Sequence, residues 1–191
     1  MPQPAALADP RELRALAHPL RLQVLADLRV NGPSTATGLA STTGASPALL
    51  SYHLRSLAKY GFVHKAPELA RDGRERWWRA THPGMTWSQA EFLDTPERAA
   101  AAGALMGEIA ERYASAARDW LTEVPNWPGE WIAVADMSDW PIVMSVERAE
   151  RLREELHDVL ERYAASDEDA EGELVRIILH LLPQRRERRP P

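Results

Sequence analysis

The chain has 191 residues, 45% apolar and 27% charged, a balance that suits a folded soluble protein and excludes a disordered one. It has no cysteine, which excludes disulfides and thiolate metal sites, and no apolar run reaches the roughly 18 residues of a membrane span. The net charge of −5 is uneven: residues 1–82 carry 11 Lys/Arg against 6 Asp/Glu, and residues 83–191 carry 12 against 22. A basic front and an acidic back fit a nucleic-acid reader joined to an interaction or sensing segment. The N-terminus lacks the basic-then-apolar pattern of a secretory signal, so the expected location is cytoplasmic, with no membrane partner.

In chain order, Asp9-Pro10 predicts a helix start, with Pro10 at the first helical position and Leu13, Leu16 and Ala17 within the helix. Pro19 opens a second helix, PLRLQVLADLRVNG, whose core face is Leu20, Val24, Leu25 and Leu28 and which Gly32-Pro33 closes. Ser34 or Thr35 caps a short third helix ending at Gly44. Ser46 caps the next, SPALLSYHLRSLAKYGFV, with Pro47 in its first turn. Leu50, Leu54 and Leu57 stack on one face of that helix. The other face carries Ser46, Ser51, Tyr52 and Arg55, groups suited to base edges and phosphates. Two helices joined by a tight, glycine-containing turn form a helix-turn-helix candidate.

Two strands should follow, FVHKA (62–66) and RERWWRA (74–80), flanking PELARDG. Asp72-Gly73 is a hairpin signal, because such a turn requires a positive φ that glycine accepts. Arg71 and Arg74 bracket the tip, where they can reach phosphates or a narrow minor groove.

These pieces together carry a resemblance. ALAHPLRLQVLADL, SPALLSYHLRSLAKYGFV and ARDGRERWWRA, in that order over residues 11–82, resemble the winged helix-turn-helix domain of ArsR-type bacterial transcriptional repressors. The resemblance implies a homodimer that binds an imperfect palindrome in double-stranded DNA and releases it on a signal. It places Ser46, Ala48, Ser51, Tyr52 and Arg55 at DNA-facing positions of the recognition helix and Arg71 and Arg74 at the wing tip. His53 occupies a histidine position of the family, where it either touches a phosphate or packs beside the core. Leu49, exposed on a helical wheel, either meets a thymine methyl or packs on the third helix.

The chain departs from the family where metals are sensed. Founding members use cysteine pairs on the third helix, which here reads STATGLASTTG; others use ligands on the last long helix, which here (roughly 96–122) has no histidine. Thiolate metal sensing is therefore not expected, and no metal or cofactor site is assigned. Glu154, His157 and Glu161 share one side of a later helix but read best as a solvated charged face.

That long helix starts at Thr95 as cap, with Pro96-Glu97 in its first turn. Ala102, Met106, Ile109, Tyr113, Ala116 and Trp120 recur at spacings of three and four, and small alanines beside large groups suit a seam between two chains. Met106, Ile109, Tyr113 and Trp120 are the expected dimer contacts; the resemblance implies that the first helix joins them. Further on, 131–136 (WIAVAD) and 140–145 (WPIVMS) read as strands. ERAERLREELHDVLERYAA reads as an amphipathic helix with Ala149, Leu152, Leu156, Val159 and Tyr163 inward, and 173–183 (ELVRIILHLLP) as a strand. Ser166 to Gly172 is an acidic loop. Trp87, Trp120, Trp127, Trp131 and Trp140 lie in this back part, lining an apolar pocket or forming the core of a small unit.

The expected fold is α+β: a winged helix-turn-helix (1–82), a linker and long dimerisation helix (83–125), a small C-terminal α+β unit (126–183) and a basic tail (184–191). The expected function is that of a dimeric repressor reading its operator with helix 46–60 and wing 67–74, with an unknown small-molecule effector as a candidate partner. The alternative is a winged-helix module that binds protein instead of DNA. No catalytic trio, phosphate-binding glycine loop or paired carboxylate supports an enzyme.

Overall fold

Capping chemistry sets the helices of the first half of the chain. The computed structural model describes residues 5–73, 75–86, 89–165 and 172–185, and the chain divides into two units, 1–123 and 124–191. In the first unit, α1 spans Pro10–Leu16 and opens on a capping box. The Asp9 carboxylate accepts from the Arg11 N–H (2.8 Å) and the Glu12 carboxylate from the Asp9 N–H (3.2 Å). α2 spans Pro19–Val30, with the His18 ring nitrogen accepting from the Leu20 N–H at 3.2 Å. α3 (Ala36–Thr43) is capped by Thr35 and stopped by Gly44, whose φ of 70° suits a residue without a Cβ. α4 (Pro47–Lys59) begins three residues after Gly44, capped by Ser46. α5 (Pro96–Glu123) opens at Thr95, whose hydroxyl accepts from the Arg98 N–H at 3.3 Å.

α2 is the central helix: it packs against α1, α3, α4, α5 and strand β4 (Trp77–Ala80). Several of its sides are therefore covered, and Leu22 is buried with Val24, Leu25 and Leu28, whereas the expected Leu20 is only partly buried. Leu13, Leu16, Leu39, Leu50, Leu54, Leu57, Phe62, Val63 and Trp78 complete one continuous core with them. This is the layer arrangement that holds α4 outward.

The wing strands form as expected, with one addition. β3 (Val63–Lys65) pairs antiparallel with β4, Val63 opposite Ala80 and Lys65 opposite Trp78. The addition is β2 (Ser34–Thr35), which pairs with the other edge of β4. A second short pairing, β1 (Ala5–Ala6) parallel to β5 (Met85–Thr86), joins the N-terminal segment to the chain beyond the wing.

Asp72-Gly73 does not close the wing as a tight hairpin. Gly73 has no positive φ; among the described residues only Gly32, Gly44 and Gly61 do. The connection is too long for a two-residue turn, and side chains close it instead. Asp72 accepts from the Glu75 N–H at 3.0 Å, and Glu75 accepts from the Arg71 N–H (3.0 Å) and the Trp77 indole N–H (3.1 Å).

α5 runs for 28 residues, about 42 Å. Its buried residues are Ala101, Ala102 and Leu105, near its start, where it packs on α1 and Glu97 pairs with Arg14 at 2.8 Å. Ala102 thus serves the core of its own chain. Ile109 packs partly on that core, and Met106, Tyr113 and Trp120 are half-buried.

The second unit departs most from expectation. Residues Gly129–Val134 form a helix, α6, where a strand was expected over 131–136. Pro128 explains the start: its carbonyl accepts from the N–H groups of Trp131 (3.0 Å) and Ile132 (3.1 Å), which opens a helical turn. Residues 140–145 and 173–183 are in neither helix nor strand. An extended apolar run becomes a strand only against a partner's backbone, and none is paired with these among the described residues. After the first run the Ser138 hydroxyl donates back to the Asp136 carboxylate, a local side-chain bond. The described part of this unit is therefore helical, not α+β.

α7 (Val146–Ala164) is capped by Ser145, the last residue of the run expected to be a strand. None of its residues is buried: Ala149, Leu152, Leu156 and Leu160 are half-buried, while Val159 and Tyr163 are exposed. Trp127 and Trp131 meet edge to face, 6.3 Å between centroids, and Trp140 is exposed. Trp87, the acidic loop over 166–171 and the tail over 186–191 lie outside the described residues.

Among the described residues, no helix is long and apolar enough to cross a membrane.

Candidate nucleic-acid interface

α4 divides its residues sharply. Leu50, His53, Leu54 and Leu57 are buried, while Ser46, Ala48, Leu49, Tyr52, Arg55 and Lys59 are exposed. At 100° per residue, Ala48, Tyr52, Arg55 and Lys59 fall together on the side opposite the core. A 13-residue helix is about 20 Å long and fits the major groove of B-DNA, roughly 12 Å wide. Ser46 has two uses: its oxygen accepts from the Leu49 N–H at 3.3 Å, and its own O–H can donate outward. Ser51 is half-buried on the flank of the outward face.

His53 does not belong to that face. It is 4% exposed, and its ring lies 4.5 Å from His18 and 5.2 Å, edge-on, from Tyr52. Burial, then its neighbours His18 and Arg21, hold its pKa below the usual value of 6.5. Its Nδ1 is buried without a hydrogen-bond partner. A phosphate contact by this ring is therefore corrected to a packing role: three residues after Leu50, it falls on the core side of the helix.

Arg71 is exposed at the wing, which the Asp72 and Glu75 bonds hold in shape. Arg74 lies outside the described residues. Leu49 is 45% exposed on the outer surface near the start of α4.

Lys59 was missed by sequence reading, although it stands one turn beyond Arg55 and extends the outward face of α4. Arg21 was missed as well. It reaches across from α2 to donate to the Ser56 hydroxyl at 3.1 Å, and its pKa is lowered chiefly by burial. A basic residue every turn along the polar face would have found Lys59; nothing local to residue 21 would have found Arg21.

Arg29 has a structural part. Its guanidinium donates to the carbonyls of His82 (2.9 Å) and Gly84 (3.2 Å), which fixes the chain leaving β4 onto α2. Burial lowers its pKa to about 10, still high enough to keep it charged at neutral pH.

Residues 16–66 match the sequence profile of a family described as a helix-turn-helix domain. These residues are a helix-turn-helix domain. The match begins at the end of α1 and ends just after β3, so α2, α3 and α4 all lie within it. A helix-turn-helix domain is the mark of a DNA-binding transcription regulator. No curated protein matches the chain.

Proposed function

We propose that the chain is a homodimeric, sequence-specific transcription regulator of the ArsR type, a repressor that reads a palindromic operator without sensing metal through thiolates. The observation that carries this reading is the division of α4 within the helix-turn-helix domain. Its apolar face is buried on α2 and α3, and Ala48, Tyr52 and Arg55 are presented together to solvent. In this reading Arg55 contacts a guanine edge or a phosphate, Ser46 and Ser51 donate at the start of the helix, and Arg71 on the wing follows the adjacent backbone. The part of α5 beyond Leu105 supplies the dimer seam, through Met106, Tyr113 and Trp120. No catalytic step is part of this function, and a cytoplasmic location follows from it.

One helix reads few base pairs, so two copies must place two α4 helices on successive turns of the same groove, roughly 34 Å or a multiple apart. Selection from random duplex DNA tests this. The expected product is a palindrome with that half-site spacing; failure to enrich any palindrome overturns the reading. With that duplex, Tyr52→Ala should weaken specific binding more than non-specific binding, and equal losses would remove Tyr52 from base readout.

A further inference from the structure

Beside the outward face of α4 lies a groove of about 610 Å³, walled by α1, α2 and α4. Its lining is unusual in charge. Arg11 and Arg14 come from α1, Arg21 from α2, and Arg55 and Lys59 from α4, with the Tyr52 and Tyr60 rings between them. Among the described residues no carboxylate lines it. Asp9 holds Arg11 with a forked pair (2.7 and 3.0 Å) and Glu97 pairs with Arg14 at 2.8 Å, both from outside the groove. Arg21, Arg55 and Lys59 have no carboxylate within ion-pair distance among the described residues.

Arg21 shows what the groove lacks. One guanidinium nitrogen donates to Ser56, but its Nε is buried without a hydrogen-bond partner. The residue as a whole is half-buried, so the cost falls on that one N–H, which an anionic acceptor in the groove would satisfy. Guanidinium groups offer forked donors that match phosphate oxygens, and tyrosine hydroxyls add a donor each.

We infer that this groove seats phosphate, and that in the DNA complex the phosphate is a backbone phosphodiester flanking the bases that α4 reads. The second half rests on the DNA-binding reading above. The source is chosen by continuity: Tyr52 and Arg55 belong both to the groove and to the outward face of α4, so a strand crossing that face runs into the groove. The walls contributed by α1 and α2 then hold the backbone without reading sequence. Arg11, Arg14, Arg21 and Lys59 become positioning residues for DNA, alongside the wing.

The experiment uses the full chain and the duplex selected above. Affinity is measured across a range of salt concentrations for the wild type and for Arg14→Gln with Lys59→Gln, one change on each of two walls and both at solvated positions. Arg153→Gln, on α7, controls for loss of charge in general. Each phosphate contact contributes about 0.9 to the slope of log affinity against log salt. The double variant should lose about two units of slope, with the ratio of operator to random-duplex affinity unchanged and the control unaltered. A double variant with the wild-type slope, or a control that loses as much, overturns the groove while leaving sequence-specific binding by α4 intact. If the wild type binds no duplex, the DNA reading itself has failed. Inorganic phosphate at constant ionic strength then decides, read from the Arg21 side-chain NMR resonance. A saturable shift that the double variant loses keeps the groove as a site for free phosphate, and no shift overturns it.

Discussion

The helix-turn-helix unit and the C-terminal unit are both rich in large apolar side chains, yet only the first buries them. In residues 5–123, leucines from five helices meet Phe62, Val63 and Trp78 in one core. In the described part of 124–185 no residue is buried, and Trp140, Ile142, Val143, Leu174 and Leu182 are exposed. Apolar content is therefore not what separates them. In the first unit a cap fixes where each helix starts, a left-handed glycine stops α3, and connections of a few residues leave little freedom over which faces meet. In the second, a stretch without regular structure (135–145) separates α6 from α7 and another (172–185) follows α7, so nothing local fixes a register between apolar segments.

The largest expected effect lies in the first unit. Leu54→Ala removes a side chain with no solvent exposure from the middle of α4, against α2 and α3, and should cost about 3 kcal/mol in urea unfolding. A cost below about 1 kcal/mol would mean that the core is loose enough to collapse around the cavity, and the contrast with the second unit would weaken.

Next in size is Arg29→Met. The methionine retains the apolar stem but leaves the carbonyls of His82 and Gly84 without their donor, an expected loss of about 1–3 kcal/mol. Hydrogen exchange should locate that loss at residues 82–86, where β5 pairs with β1. If instead exchange accelerates uniformly, the clamp is not local.

A smaller, pH-dependent effect comes from His53. The folded state holds its pKa below 6.5, so the unfolded chain takes up a proton that the folded chain refuses. Stability is complete above about 6.5 and falls as pH drops below it toward the folded pKa. His53→Phe retains a ring and removes the titration. The wild type should therefore lose more Tm than the variant between pH 7.5 and 5.5; parallel curves would show that another group titrates.

What could be read from the sequence follows the same division. Caps and stops act within four residues, so Asp9, Thr35, Ser46, Gly44 and Thr95 announced their helices correctly. The outward positions of α4 followed from its period. His53 could not be assigned that way, because it borders the apolar stripe and its burial depends on His18, which belongs to another helix. β2 is two residues long and has no period to detect. The wing tip misled because Asp-Gly favours a tight turn only when the strands reach it, and here they stop short. The groove is assembled from residues 11–15, 21 and 52–60, which no single helical wheel brings together. WIAVAD and ELVRIILHLLP have β-branched residues, but strand propensity reflects packing against a neighbouring strand, which the sequence cannot supply by itself.

The smallest effect tests the other side of the contrast. Val143 is 67% exposed in a stretch of neither helix nor strand, so Val143→Ala should change unfolding free energy by no more than about 0.5 kcal/mol. The measurement must be made at two chain concentrations, because an exposed apolar side chain in one chain can be a covered one in a pair. A small change at both concentrations means the face is solvated and the second unit contributes little to folding. A loss approaching that of Leu54→Ala would break the contrast outright. If that loss also shrinks with dilution, the covering surface comes from a second copy, and the core missing from the second unit is built between chains.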